Sequence, residues 1–274
     1  MPAAKPVLEV NQLSVRTKTK TLIHPLEFTL QKGEILGLVG ESGSGKTVTS
    51  MAIFQLLHKE SMVIDGSIRL NGQELNGLPE KQMKAIRGKD IAFIMQNPMN
   101  AFTPVYTIGN QFVETIRAHI ACSKKEALEL ATEALANVNL PHPKTLLSLY
   151  PFQLSGGMLQ RVMIAFAACL HPKVIIADEP TTALDVHNQL QVLRHLEHIR
   201  ATYGTSILLI SHDLGVISEM ADYVAVMQNG HLVEQANVFD LFDSPQHAYT
   251  KQLLDARPTL HMAPSTREVS YESS

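Results

Sequence analysis

The eight residues GESGSGKT at 40–47 restrict this chain more than any other stretch. They fit G-x-x-x-x-G-K-[ST], with the apolar run ILGLV before them as a strand and TVTSMAIFQLLH after them at helical spacing. Gly40, Gly43 and Gly45 let the backbone curl so that N–H groups converge on an anion, with the start of a helix behind them. Lys46 carries a charge suited to the β- and γ-phosphates of a nucleotide, and Thr47 a hydroxyl suited to Mg²⁺. The candidate phosphate-binding set is Gly40, Glu41, Ser42, Gly43, Ser44, Gly45, Lys46, Thr47 and Val48.

Such a loop predicts partners at the ends of neighbouring parallel strands. VIIADE at 174–179 supplies two: four apolar residues bury the strand, Asp178 at its end suits Mg²⁺, and Glu179 suits the activation of a water. SILLISH ends a second apolar strand in His212, placed to contact a γ-phosphate, and AFIMQ ends a third in Gln96. A further anion loop stands in LYPFQLSGGMLQR, where Ser155, Gly156 and Gly157 precede an apolar helical pattern.

The rest of the chain alternates in the same way. VLEV, LSV and LEFTL read as β segments, and Asn71-Gly72 and Asn229-Gly230 mark hairpins. Between about 98 and 165 the pattern turns helical, clearest in KKEALELATEALANV, where Ala127, Leu130, Ala131, Ala134, Leu135 and Val138 share a face and Ser123 and Glu126 form a capping box. The expected fold class is α/β, a P-loop NTPase core with an N-terminal antiparallel β subdomain and an inserted α-helical subdomain. Core and β subdomain take about 1–97 and 166–240, helices about 98–165, and a C-terminal extension about 241–256; the polar, Pro- and Ser-containing 257–274 reads as disordered.

Composition narrows function by exclusion. A formal charge of −3 without a Lys/Arg run gives no footprint for a nucleic-acid backbone. Cys122 and Cys169 stand in no metal-binding spacing and read as core hydrophobes, and His195 and His198, three apart, as residues of a solvated amphipathic helix. No apolar run reaches the roughly 18 residues that span a bilayer, and the N-terminus lacks an export pattern.

Taken together, GESGSGKT, Gln96, LSGGM at 154–158, VIIADE, the D-loop at 183–185 and His212 resemble, in order, the motifs of the ATP-binding-cassette (ABC) ATPases. The resemblance covers nearly the whole chain. It implies ATP and Mg²⁺ as cofactors, with Thr47, Gln96 and Asp178 at the metal and Glu179, His212, Lys46 and Gln96 in catalysis. It also implies a head-to-tail dimer, in which Ser155, Gly156 and Gly157 close over the nucleotide held by a second ATPase subunit and Asp185 communicates across the seam. One departure is the aromatic that members place after the first strand to stack on adenine; here that position is near Thr17.

MQNPMNAFTPVYTIGNQF at 95–112 and SPQHAYTKQLL at 244–254 are similar to the peptide/nickel importer branch, and IMQNP with LYPFQLSGGMLQRVMIA looks closest to the D-type ATPase of nickel-uptake systems. The resemblance implies a second, different ATPase subunit, two transmembrane permeases, an extracytoplasmic solute-binding protein and a place on the cytoplasmic face of the membrane. Dipeptides, oligopeptides or metal chelates are the alternative cargo, and a soluble, non-transport ABC ATPase is the alternative function.

Overall fold

The structure, a computed structural model, describes residues 5–57, 61–182 and 184–256; the tail 257–274, expected to be disordered, lies outside them. Strands β1 (Leu8–Thr17), β2 (Thr21–Leu30) and β3 (Ile35–Val39) lead through the glycine loop into α1 (Lys46–Ile53). Then come β4 (Met62–Leu70), β5 (Gln73–Glu74), α2 (Glu80–Ile86) and β6 (Ile91–Ile94). The helical block is α3 (Ile108–His119), α4 (Lys124–Asn137), α5 (Pro143–Leu146) and α6 (Gly156–Ala168). β7 (Val174–Asp178), α7 (Val186–Tyr203), β8 (Ser206–Ser211), α8 (Leu214–Met220), β9 (Tyr223–Gln228), β10 (His231–Asn237), α9 (Val238–Asp243) and α10 (Ala248–Asp255) complete the order.

Two sheets result. β2-β1-β4-β5 is antiparallel, and β10-β9-β3-β8-β7-β6 is parallel except for β10 at one edge. The continuous apolar runs of β3, β7 and β8 are buried on both faces, as a parallel sheet requires. Alternate residues serve different cores. Ile35, Val39, Ile175, Ala177, Ile207 and Leu209 face the helices, while Leu36, Leu38, Val174, Ile176, Leu208 and Ile210 face the layer shared with the antiparallel sheet. Gly37 has no side chain because a Cβ there would stand 2.9 Å from Ile217 of α8.

Both Asn-Gly hairpins form, with Asn71 and Asn229 at positive φ, and the capping box of α4 closes through Ser123 and Glu126. Leu130 is only half-buried, whereas the other named positions of that face are buried. VLEV and LSV are not separate strands. They are one strand whose register slips between Val10 and Leu13, with Gln12 at φ 50° and Gly66 opposite giving the room. The expected helix through Phe54–Leu57 stops at Ile53, where Gln55 turns to φ 52° and Arg87 donates to the carbonyls of Phe54 and Gln55 at 2.9 Å each. Of the cysteines, Cys169 is buried, its thiol pushed up to about 12 by burial, but Cys122 is half-buried.

His195 corrects the expectation of a solvated pair: it is buried under α7, and only His198 is exposed. A helix with hydrophobic residues on one face turns one of any two side chains three apart more deeply inward, and here His195 lies beside the core residues Val192, Leu196 and Ile199. Burial first, then the charges of Arg161 and His198, lower its imidazole to about 4.

Two predictions follow from this packing. Phe112, fully buried and edge-on to Phe166 at 5.0 Å, joins α3 to α6, so Phe112→Ala should cost about 3–5 kcal/mol in urea unfolding. Because His195 takes its proton more readily unfolded than folded, the stability it contributes is present above about pH 6.5 and is lost as pH falls towards 4. His195→Leu should flatten that part of the stability–pH curve relative to wild type.

Candidate functional site

The parallel ladder brings four strand ends to one edge. Val39 is level with Ser211, Asp178 with Ile210, and Ile94 with Ala177, so the glycine loop, His212, Asp178, Glu179 and Gln96 emerge side by side.

The loop is shaped by glycine where nothing larger fits. Gly45 lies at φ 112° with Ile23 against its α-carbon, and Gly40 at φ 152° packs on the Met227 carbonyl. Gly45 caps α1 without any side-chain hydrogen bond, and no acid stands in the first turn. The helix start therefore presents bare amides. Lys46 is buried at 4% exposure and curls back, its Nζ donating to Gly40 O at 2.7 Å and Glu41 O at 3.0 Å. Burial lowers its pKa, opposed by Glu179 and Asp178. Ser44 Oγ is buried without a partner among the described residues. Among the described residues, an ammonium held by two carbonyls and by no carboxylate, an unpartnered hydroxyl and a helix start without a side-chain cap together fit a bound phosphate chain.

Thr47 Oγ1 donates to Asp178 Oδ1 at 3.4 Å. Burial raises the Asp178 pKa most, helped by Glu179 and opposed by Thr47 and Lys46. These hard oxygens fit Mg²⁺.

Glu179 joins three strand ends. Its Oε2 accepts from Gln96 Nε2 and from Thr182 Oγ1, each at 2.9 Å, and its Oε1 stands 3.2 Å from His212 Nδ1. Its backbone is left-handed at φ 49°, with its amide donating to Ile210 O at 2.9 Å. Thr182 was missed from sequence, although its place three residues after Glu179 in a turn is the spacing that lets a hydroxyl reach back.

The second loop, expected from sequence to bind an anion, is built differently. Ser155 caps α6 by accepting from Met158 N at 3.3 Å, and Gly156 and Gly157 open the helix at the surface. Gly157 abuts Asn188 of α7, whose amide groups bond the carboxylate of Asp185, the cap of α7. Buried Gln160, also missed from sequence, donates to Pro180 O at 2.7 Å and ties α6 to the segment after Glu179. Thr17 offers no ring: its hydroxyl closes the β1–β2 turn on Lys20.

A model of the ABC transporter family matches residues 23–182. The chain belongs to that family. It is an ATP-binding subunit of an ABC transporter. The oligopeptide transport ATP-binding protein AppD of Bacillus subtilis is 45% identical over 93% of this chain and 79% of its own length. A peptide ABC transporter ATP-binding protein of Sinorhizobium fredii is 45% identical over 85% of this chain and 70% of its own. The glutathione import ATP-binding protein GsiA of Escherichia coli K12 is also 45% identical, but this chain spans 39% of its length. Among solved structures, an ATP-binding subunit of an ABC transporter superposes with a TM-score of 0.72 at 26% identity, covering 90% of this chain and 97% of that one.

Gln160→Met would keep the volume but strip Pro180 O of its donor. It should destabilise the fold by about 1–3 kcal/mol in urea titration.

Proposed function

We propose that this ABC subunit hydrolyses ATP to power a peptide importer, with oligopeptides or small peptides as cargo. The observation that carries hydrolysis is the carboxylate of Glu179, held by Gln96, Thr182 and His212 at the strand edge beside a buried lysine. The cargo reading rests on the relatives, whose names speak of peptide, oligopeptide and glutathione. That favours the peptide alternative over the nickel system suggested by IMQNP and LQR.

In this reading the amides of residues 43–48 and Lys46 hold the phosphate chain. Mg²⁺, held by Thr47, Asp178 and the carbonyl of Gln96, would supply positive charge to the β- and γ-phosphate oxygens. Glu179 would accept the proton of the attacking water, and His212, whose Nδ1 stands 3.2 Å from Glu179, would offer its Nε2 to the γ-phosphate. Ser155, Gly156 and Gly157 serve the nucleotide of a second ATPase subunit. Their helix start is exposed, and beside Asp185 the apolar Val186 is 75% exposed, as a surface awaiting a partner would be. After Gln96, exposed Met99, Val105 and Tyr106 form the face offered to two permeases, which a solute-binding protein feeds from outside. No helix among the described residues is long and apolar enough to cross a membrane, and the subunit acts at the cytoplasmic face of its permeases.

Glu179→Gln should leave ATP binding intact and lower turnover on the order of a hundredfold or more. Near-normal hydrolysis by that variant would refute the role. In a strain lacking this chain, uptake of labelled oligopeptide should fall and be restored by wild type but not by Glu179→Gln. Loss of nickel uptake with peptide uptake unchanged would overturn the cargo reading.

A further inference from the structure

Tyr249 stands in α10, more than two hundred residues from the phosphate loop, yet its phenolic oxygen accepts a hydrogen bond from the backbone N–H of Glu41 at 3.0 Å. That N–H and the carbonyl of Gly40 belong to one peptide plane, and the carbonyl accepts Lys46 Nζ at 2.7 Å. A single peptide unit is therefore gripped at both ends, by Lys46 on the oxygen and by Tyr249 on the nitrogen. Gly40, at φ 152°, leaves that unit free to rotate unless something outside the loop holds it.

The grip is itself anchored. The Glu234 carboxylate on β10 accepts the amides of Gln246 at 2.7 Å and His247 at 3.0 Å, fixing the start of α10. His247 Nδ1 accepts the amide of Tyr249 at 3.2 Å, and the tyrosine ring is 5% exposed in the helix-side core. The same C-terminal half touches the loop a second time, where Gly230 N donates to Ser44 O at 2.8 Å.

We infer that Tyr249 is a positioning residue for the nucleotide site: its hydroxyl fixes the Gly40–Glu41 peptide plane and, through it, the place of the Lys46 ammonium. The inference rests on the proposed nucleotide binding. It gives the SPQHAYTKQLL segment a task in the chemistry, since the segment carries the one outside bond to the amide of Glu41 among the described residues.

The test is equilibrium titration of the full chain with a fluorescent ATP analogue and Mg²⁺, together with hydrogen exchange at the Glu41 amide and urea unfolding. Tyr249→Phe keeps the ring and removes the hydroxyl. It should weaken nucleotide affinity about 3- to 10-fold, the worth of one hydrogen bond, and raise the exchange rate of Glu41. In the assembled transporter the KM for ATP should rise with kcat little changed. Glu234→Gln, which loosens the anchor but leaves Tyr249 in place, should move affinity the same way by less. Unaltered affinity and exchange in Tyr249→Phe would overturn the inference, as would an unfolding midpoint that falls while affinity stays. If wild type binds no analogue while Lys46→Ala behaves identically, the proposed function fails first, and the tyrosine's task with it.

Discussion

The parallel ladder that sets Val39 beside Ser211 and Asp178 beside Ile210 is the constraint from which the site descends. Each strand is buried on both faces, so a slip of one residue would exchange the two cores and carry Leu36, Ile176 and Leu208 to the wrong layer. The hydrophobic pattern thus fixes the register, and the register fixes where every strand stops. Gln96, Asp178, Glu179, His212 and the glycine loop meet because the apolar runs before them have matched ends, even though their positions in the chain are far apart.

The electrostatics of the site set its two buried charges against burial. Burial disfavours the charged form of Lys46 and also that of Asp178, and the two groups relieve each other only partly because other loop carbonyls, rather than the carboxylate, hold the ammonium. A phosphate chain would bring negative charge to the lysine and the bare amides of α1, while aggravating the burden on Asp178. A divalent cation beside Thr47 would offset that second effect. Nucleotide and metal are therefore expected to bind as a pair, each correcting what the other disturbs.

Much of this was legible in the sequence, because the chemistry depends on short contiguous stretches: the glycine loop, the strand-end acids, the Asn-Gly turns and the Ser123–Glu126 box are local signals read at fixed offsets. What escaped reading depends on contacts distant in sequence. Gln12 sits in a bulge that only Gly66 on the neighbouring strand makes room for. The helix α1 ends early because Arg87, more than thirty residues on, takes the carbonyls at its end. His195 is buried by its rotation about α7, which spacing from His198 leaves undetermined. Tyr249 looks like an ordinary aromatic of a short amphipathic helix until its hydroxyl is seen on Glu41.

The two anion loops differ in a way that bears on their proposed division of labour. The loop at 40–47 is gripped from inside its own subunit by Lys46, Tyr249 and Gly230, so its shape is set before any ligand arrives. Among the described residues the start of α6 shows no such grip on its open side: Ser155 satisfies one of its amides, Arg161 of the same helix reaches Gly157 O, and its remaining contacts run inwards to Asn188 and Pro180. Those inward contacts end on the segment between Glu179 and Asp185. In the proposed reading, a nucleotide of a second subunit at the α6 start would lie one hydrogen bond from the peptide that follows this subunit's own Glu179. In the proposed arrangement the buried Gln160, between α6 and Pro180, is the residue that joins the two regions.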